Sequence, residues 1–140
     1  MKTEVINIKL KRNVWRKRSK EYVYIGRPTV FGNLFTHLKF LRKTGELLEA
    51  PSQEDAVRFF EDWLYGLRYT SIQQQKRKAI LREMPSLVGK FLGCYCDPQP
   101  CHGHVYRKML RIGYEIEIDG AWFVWRPQQQ QALYAMGGSE

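Results

Sequence analysis

Two short apolar runs, Tyr22-Val-Tyr-Ile-Gly26 and Lys90-Phe-Leu-Gly-Cys-Tyr-Cys96, constrain this chain more than any other feature. Each is nearly continuous, and the first is rich in aromatic and β-branched residues, which suits strands covered on both faces. The stretch between them has helical character. Ser52 can cap a helix whose first turn carries Glu54 and Asp55, and Ala56, Phe60, Trp63, Leu64 and Leu67 then recur at helical spacing. Thr70 or Ser71 is expected to cap a second helix reaching about Met84. Its apolar stripe is Ile72, Ala79 and Ile80, and Lys76, Arg77, Lys78 and Arg82 form a basic exposed side. Beyond Cys96 the pattern is helical again, with Val105, Met109 and Ile112 inward and Gly113 as the stop. Asp119-Gly120 between Glu115–Asp119 and Ala121–Trp125 is a strong hairpin signal. Before all of this, Thr3 to Lys9 alternates like a strand, with Thr3, Val5 and Asn7 against Glu4, Ile6 and Ile8. The order strand, helices, strand, helix, hairpin predicts an α/β chain, a small Rossmann-like single domain with a C-terminal β-hairpin. In open sheets of this class ligands lie outside the carboxyl ends of the strands.

A chain of 140 residues buries roughly 68% of its unfolded surface and needs neither disulfide nor metal to make a core. No apolar run approaches the ~20 residues that span a bilayer, so no membrane association is expected. The start of the chain lacks the apolar stretch of a signal peptide, which points to the cytoplasm (a host cytoplasm if the chain is phage-encoded) and to thiols rather than bridges. The formal charge is +9, of which +7 falls in residues 1–28. The expected organisation is a basic N-terminal strand and arm over 1–21, an α/β domain over 22–126 and a glutamine-rich tail over 127–140. Lys11, Arg12, Arg16, Lys17 and Arg18 in the arm, with Lys76 and Arg77 on the second helix, are candidates for contact with a polyanion.

Two clusters carry chemistry. In the first, all three cysteines and two of the three histidines fall between Cys94 and His104. One reading makes Cys101 a thiolate nucleophile at a helix start beside His102, with Asp97 orienting His102 or His104. A second makes Cys94, Cys96, Cys101 and His104 (or His102) a zinc tetrahedron, although the C-x-C spacing is less usual than C-x2-C. A third has small thiols filling the end of a strand. The second cluster is Gly26-Arg27-Pro28 with Gly32-Asn33, where glycines admit a close ligand and Arg27 can grip a phosphate or carboxylate at two points. Neither a Rossmann fingerprint nor a Walker loop occurs.

Tyr24-Ile-Gly-Arg-Pro28, Gly32-Asn33-x-Phe35 and Leu92-x-Cys94-x-Cys96-x-Pro98-x-Pro100-Cys101-His102-Gly103 together resemble an uncharacterised domain-of-unknown-function family of bacteriophages and bacteria, over about residues 22–111. The resemblance implies that Gly26, Arg27, Asn33, Cys94, Cys96, Cys101 and His102 belong to one shared site. Leu34, Tyr95 and His104 stand where the family usually has proline, tryptophan and aspartate.

The expected function is binding of a phosphate-bearing ligand, a nucleotide or nucleic acid, at the strand ends. Arg27 and the backbone at Gly26 and Gly32 would hold phosphate, Asn33 would orient a sugar or base, and Cys101 with His102 would supply thiol or acid–base chemistry. The alternative is a non-enzymatic nucleic-acid-binding or host-interaction protein whose cysteines only stabilise the fold, with or without zinc.

Overall fold

The computed structural model describes residues 2–10, 21–38, 47–97 and 99–127. Strands β1 (Glu4–Asn7), β2 (Tyr22–Tyr24) and β5 (Phe91–Cys94) form a three-stranded parallel sheet in the order β1-β5-β2. Val5 and Val23 both sit opposite Leu92, and Asn7 sits opposite Cys94. The second apolar run is thus the central strand, with Leu92, Gly93 and Cys94 buried. The first run is an edge strand and only half-buried over Tyr22–Tyr24, with full burial beginning at Ile25.

Helix α1 (Gln53–Tyr65) starts where its cap predicts, with the Ser52 hydroxyl accepting from the Asp55 N–H at 3.0 Å. It ends earlier than its apolar stripe suggests. Gly66 takes the left-handed conformation (φ 82°), and the N–H groups of Gly66 and Leu67 fold back onto the Trp63 and Asp62 carbonyls, a Schellman-type stop. Leu67 therefore lies outside the helix and is exposed. Helix α2 (Gln74–Glu83) also begins later than expected: Gln73, in the left-handed region, precedes it, and neither Thr70 nor Ser71 caps it. The intervening turn is held by the Trp63 indole N–H, which donates to the Ile72 carbonyl at 2.8 Å. A 3-10 turn over Met84–Leu87 leads into β5.

Helix α3 (Gly103–Ile112) lies against the sheet because its first residue has no side chain. A Cβ on Gly103 would meet Ile25 Cδ1 at 2.7 Å and the Val5 methyls at 3.3 Å. Val105 and Met109 face inward together with Tyr106 and Leu110, whereas Ile112, expected inside, is exposed at the helix end. Strands β6 (Tyr114–Ile118) and β7 (Ala121–Trp125) form the antiparallel hairpin, with Ile118 opposite Ala121. A two-residue parallel bridge between β3 (Phe35–Thr36) and β4 (Leu48–Glu49) had no signal in the sequence. The result is a small α/β domain with a C-terminal hairpin. Among the described residues no helix is long and apolar enough to cross a membrane.

Candidate functional site

Parallel strands β2 and β5 end side by side, so the segments leaving their carboxyl ends meet. Between them opens a cavity of about 440 Å³ lined by Gly26, Arg27, Cys94, Cys96, Cys101 and His102, among others. Asn33 also lines it, while Gly32 does not. The two sequence clusters are thus two walls of one cleft, at the sheet edge where this class of fold places ligands.

Arg27 organises the first wall. Its Nε donates to the Asn33 carbonyl at 2.9 Å and its Nη2 to the Phe35 carbonyl at 3.0 Å. The Tyr24 hydroxyl donates to the Arg27 carbonyl at 3.0 Å. Among the described residues no carboxylate pairs with Arg27, and burial lowers the pKa of its guanidinium, partly offset by Cys96 and Tyr24. The glycine and asparagine roles expected from the sequence change. The Gly32 N–H is already bonded to the Thr29 carbonyl, and a Cβ there would press on the Arg27 backbone at 3.1 Å, so Gly32 closes the loop rather than cradling a phosphate. At Gly26 a Cβ would strike the Tyr24 hydroxyl at 2.3 Å, so its lack of a side chain makes room for that ring. Asn33 is buried, with Oδ1 accepting from the Phe35 N–H at 2.8 Å and Nδ2 donating to the Ala56 carbonyl at 3.1 Å. Its carboxamide ties the loop to α1 instead of standing ready for a sugar or base.

The thiols form the second wall, and their acidities are shifted in the opposite sense to the Cys101 thiolate that the sequence suggests. Cys101 is buried, and the neighbouring Cys94 and Cys96 side chains, followed by burial, push its pKa strongly up. The same grouping lowers the other two. Cys94 falls to about 6, chiefly through Cys101 and with help from backbone N–H groups, of which the Asp97 N–H lies 3.5 Å from its sulfur. Cys96 is lowered by Cys101 first, then by the charge of Arg27 and a hydrogen bond to the Gln53 side chain, against the opposing effects of burial and Cys94. The shifts therefore favour the ionised form at Cys94 and Cys96 and disfavour it at Cys101. The helix start does not activate Cys101, because α3 begins two residues later and the Gly103 N–H, 3.4 Å from its sulfur, is outweighed.

His102 is buried, with Nε2 2.8 Å from the Ile25 carbonyl and Nδ1 3.9 Å from the Cys101 sulfur. Burial foremost, then the charges of Arg27 and Lys76, lower its pKa to about 4, so the ring is neutral near pH 7. Asp97 bonds His104, Oδ1 to Nε2 at 3.0 Å, and not His102, so a Cys101–His102–Asp97 relay is not assembled. Among the described residues no group of three or more His, Cys, Asp and Glu side chains is arranged to hold a metal ion, so the Cys94, Cys96, Cys101, His104 tetrahedron is not preformed.

Gln53 is a site residue that sequence reasoning missed. Its side chain helps to lower the Cys96 pKa, and its Nε2 donates to the Pro100 carbonyl at 2.7 Å, fastening the cysteine loop to the start of α1. A glutamine beside a helix cap carries no sequence signal of that role. The basic face of α2 is also not as expected. Arg77 is buried, Lys76 is half-buried, and Lys78 pairs with Asp119 at 2.8 Å, which leaves Arg82 exposed. Lys11, Arg12, Arg16, Lys17 and Arg18 lie outside the described residues.

Fold and site together define a small α/β domain with an arginine- and thiol-walled cleft at the ends of its parallel strands. Residues 8–112 match the family model of a domain of unknown function, DUF4326, and the chain belongs to that family. No curated protein and no solved structure matches it.

Proposed function

We propose that the cleft binds a small phosphate-bearing ligand of nucleotide size. The observation that carries this reading is Arg27: a half-buried guanidinium facing the cavity, fixed by two backbone carbonyls and lacking a carboxylate partner among the described residues. Burial disfavours the Arg27 cation and Cys96 offsets this only in part, and an anionic ligand in the cleft compensates the remaining cost. Arginine suits phosphate because its planar fork offers several donors at once. The cavity, about 440 Å³, falls in the usual range for small-molecule sites. Lys76, half-buried on α2 and outside the cavity lining, adds a positive charge that His102 feels and that itself feels Arg27. Cys94 and Cys96 give the same cleft nucleophilic sulfur.

Titration calorimetry with adenosine and guanosine mono- and triphosphates, at low and moderate salt, tests this. The proposal expects saturable one-site binding of at least one of them, weakened about tenfold or more in Arg27→Lys, which keeps the charge and loses the fork. A folded protein that binds none of these nucleotides overturns it.

A further inference from the structure

The three thiols carry an inference that holds whatever the cleft binds. Cys94, Cys96 and Cys101 line the same cavity, all are free, and the Cys101 side chain shifts the acidity of both of the others. Their access differs. Cys94 and Cys101 are 2% and 1% exposed, whereas Cys96 is only partly buried, so a reagent entering the cleft meets Cys96 first. Cys96 is also surrounded by groups that favour an ionised sulfur: the Cys101 thiol, the Gln53 side chain and the charge of Arg27. Accessible, low-pKa thiols next to a second thiol are the ones that peroxides oxidise and that then close into a disulfide.

We propose that Cys96 and Cys101 form a peroxide-oxidisable dithiol in the wall of the cleft, Cys96 being the thiolate attacked first and Cys101 the resolving thiol. With hydrogen peroxide the Cys96 thiolate displaces hydroxide: an S–O bond forms, the O–O bond breaks, and Cys96 becomes a sulfenic acid. The Cys101 sulfur then attacks Cys96, an S–S bond forms, the S–O bond breaks, and the departing oxygen leaves as water with the Cys101 proton. Two electrons pass from the pair of thiols to the peroxide. Cys101 is assigned as the resolving thiol because it comes from a separate segment that lines the same cavity as Cys96.

The test uses the whole reduced chain. Brief alkylation with iodoacetamide, mapped by mass spectrometry, is expected to label Cys96 at least about ten times faster than Cys94 or Cys101; this needs no variant and so cannot be confused with misfolding. Stoichiometric hydrogen peroxide is then expected to remove two hydrogens from the intact mass, with a Cys96–Cys101 cross-linked peptide that dithiothreitol releases. Cys94→Ser should still form that link. Cys101→Ser should instead trap a Cys96 sulfenic acid as its dimedone adduct, circular dichroism reporting whether each variant folds. The proposal is overturned if Cys94 or Cys101 is labelled first in the unmodified chain. It is equally overturned if the disulfide joins a different pair, or if the oxidised chain contains no disulfide. Nucleotide binding plays no part in these readouts, so a failed ligand assay leaves them intact.

Discussion

The His102 imidazole reaches across 77 positions of sequence to the Ile25 carbonyl, Nε2 standing 2.8 Å from its oxygen. This contact fastens the start of α3 to the exit of β2 and joins the two walls of the cleft. The ring is held edge-on to Phe60 and Tyr106, with centroids 5.6 and 5.7 Å away. To meet a carbonyl, Nε2 must carry the hydrogen, and the neutral ring does so.

A pH dependence follows. The folded pKa of about 4 lies below the ordinary 6.5, so between these values the unfolded chain binds a proton that the folded chain does not. Stability contributed by His102 is therefore complete above about pH 6.5 and is lost as pH falls toward 4, by roughly 3 kcal/mol in all. Urea denaturation between pH 7.5 and 4.5 should show that loss, and His102→Gln, which cannot titrate, should lack this part of it. Equal pH slopes in both proteins would contradict the assignment.

Arg27 makes a second prediction, separate from ligand binding. Its two donors satisfy the carbonyls of Asn33 and Phe35, both buried residues. Arg27→Met keeps much of the apolar stem and removes both bonds, and should cost roughly 1–3 kcal/mol of unfolding free energy. Arg27→Lys can restore at most part of this, because one ammonium does not reproduce the fork. Chemical denaturation of the three proteins orders them; a methionine variant as stable as the parent would show that the loop does not depend on the guanidinium.

The hairpin turn isolates a backbone effect. Asp119 and Gly120 have φ of 52° and 85°, the primed-turn geometry that suits the twist of a two-residue hairpin. A Cβ on Gly120 would meet nothing within 4 Å. Gly120→Ala should therefore lose roughly 1–2 kcal/mol through conformation alone, visible as a lower melting temperature with the site thiols equally reactive. An unchanged melting temperature would mean that the hairpin contributes little to cooperative unfolding.

Features encoded in adjacent residues were legible before the structure: the Ser52 cap, the periodicity of α1 and the Asp119-Gly120 turn all act within a few positions of themselves. The meeting of Arg27 with the cysteines was legible only through the pattern of two strand exits, since parallel pairing brings both to one edge. What stayed hidden depends on tertiary detail. Nothing local sets Cys101, whose pKa is raised, apart from Cys94 and Cys96, whose pKa values are lowered; three sulfurs had to be brought together first. Gln73 and Tyr69 adopt positive φ without being glycine, so the delayed start of α2 had no residue to announce it. Arginine in a basic helix reads as solvated, and Arg77 is not.

Arg77 and Lys76, neighbours on α2 that looked equivalent in sequence, should therefore separate on mutation. Arg77 is 5% exposed; its Nε donates to the Leu64 carbonyl at 3.0 Å and its Nη1 to Gln74 Oε1 at 3.0 Å, so it closes the end of α1. Arg77→Ala leaves that carbonyl buried without its partner and should cost roughly 1–3 kcal/mol, while nucleotide affinity measured well below the melting temperature stays the same. Lys76 shows the converse. Its pKa is lowered by burial and then by the charge of Arg27, so the folded chain gives up its proton more readily than the unfolded chain does, and the ammonium is a liability to folding near neutral pH. Lys76→Met should leave stability unchanged or slightly raised, and should weaken phosphate binding by removing the second positive charge beside Arg27. Melting curves and nucleotide titrations on the two variants check both halves. Loss of stability in Lys76→Met with unchanged affinity would place Lys76 in the scaffold and leave Arg27 as the cation of the cleft.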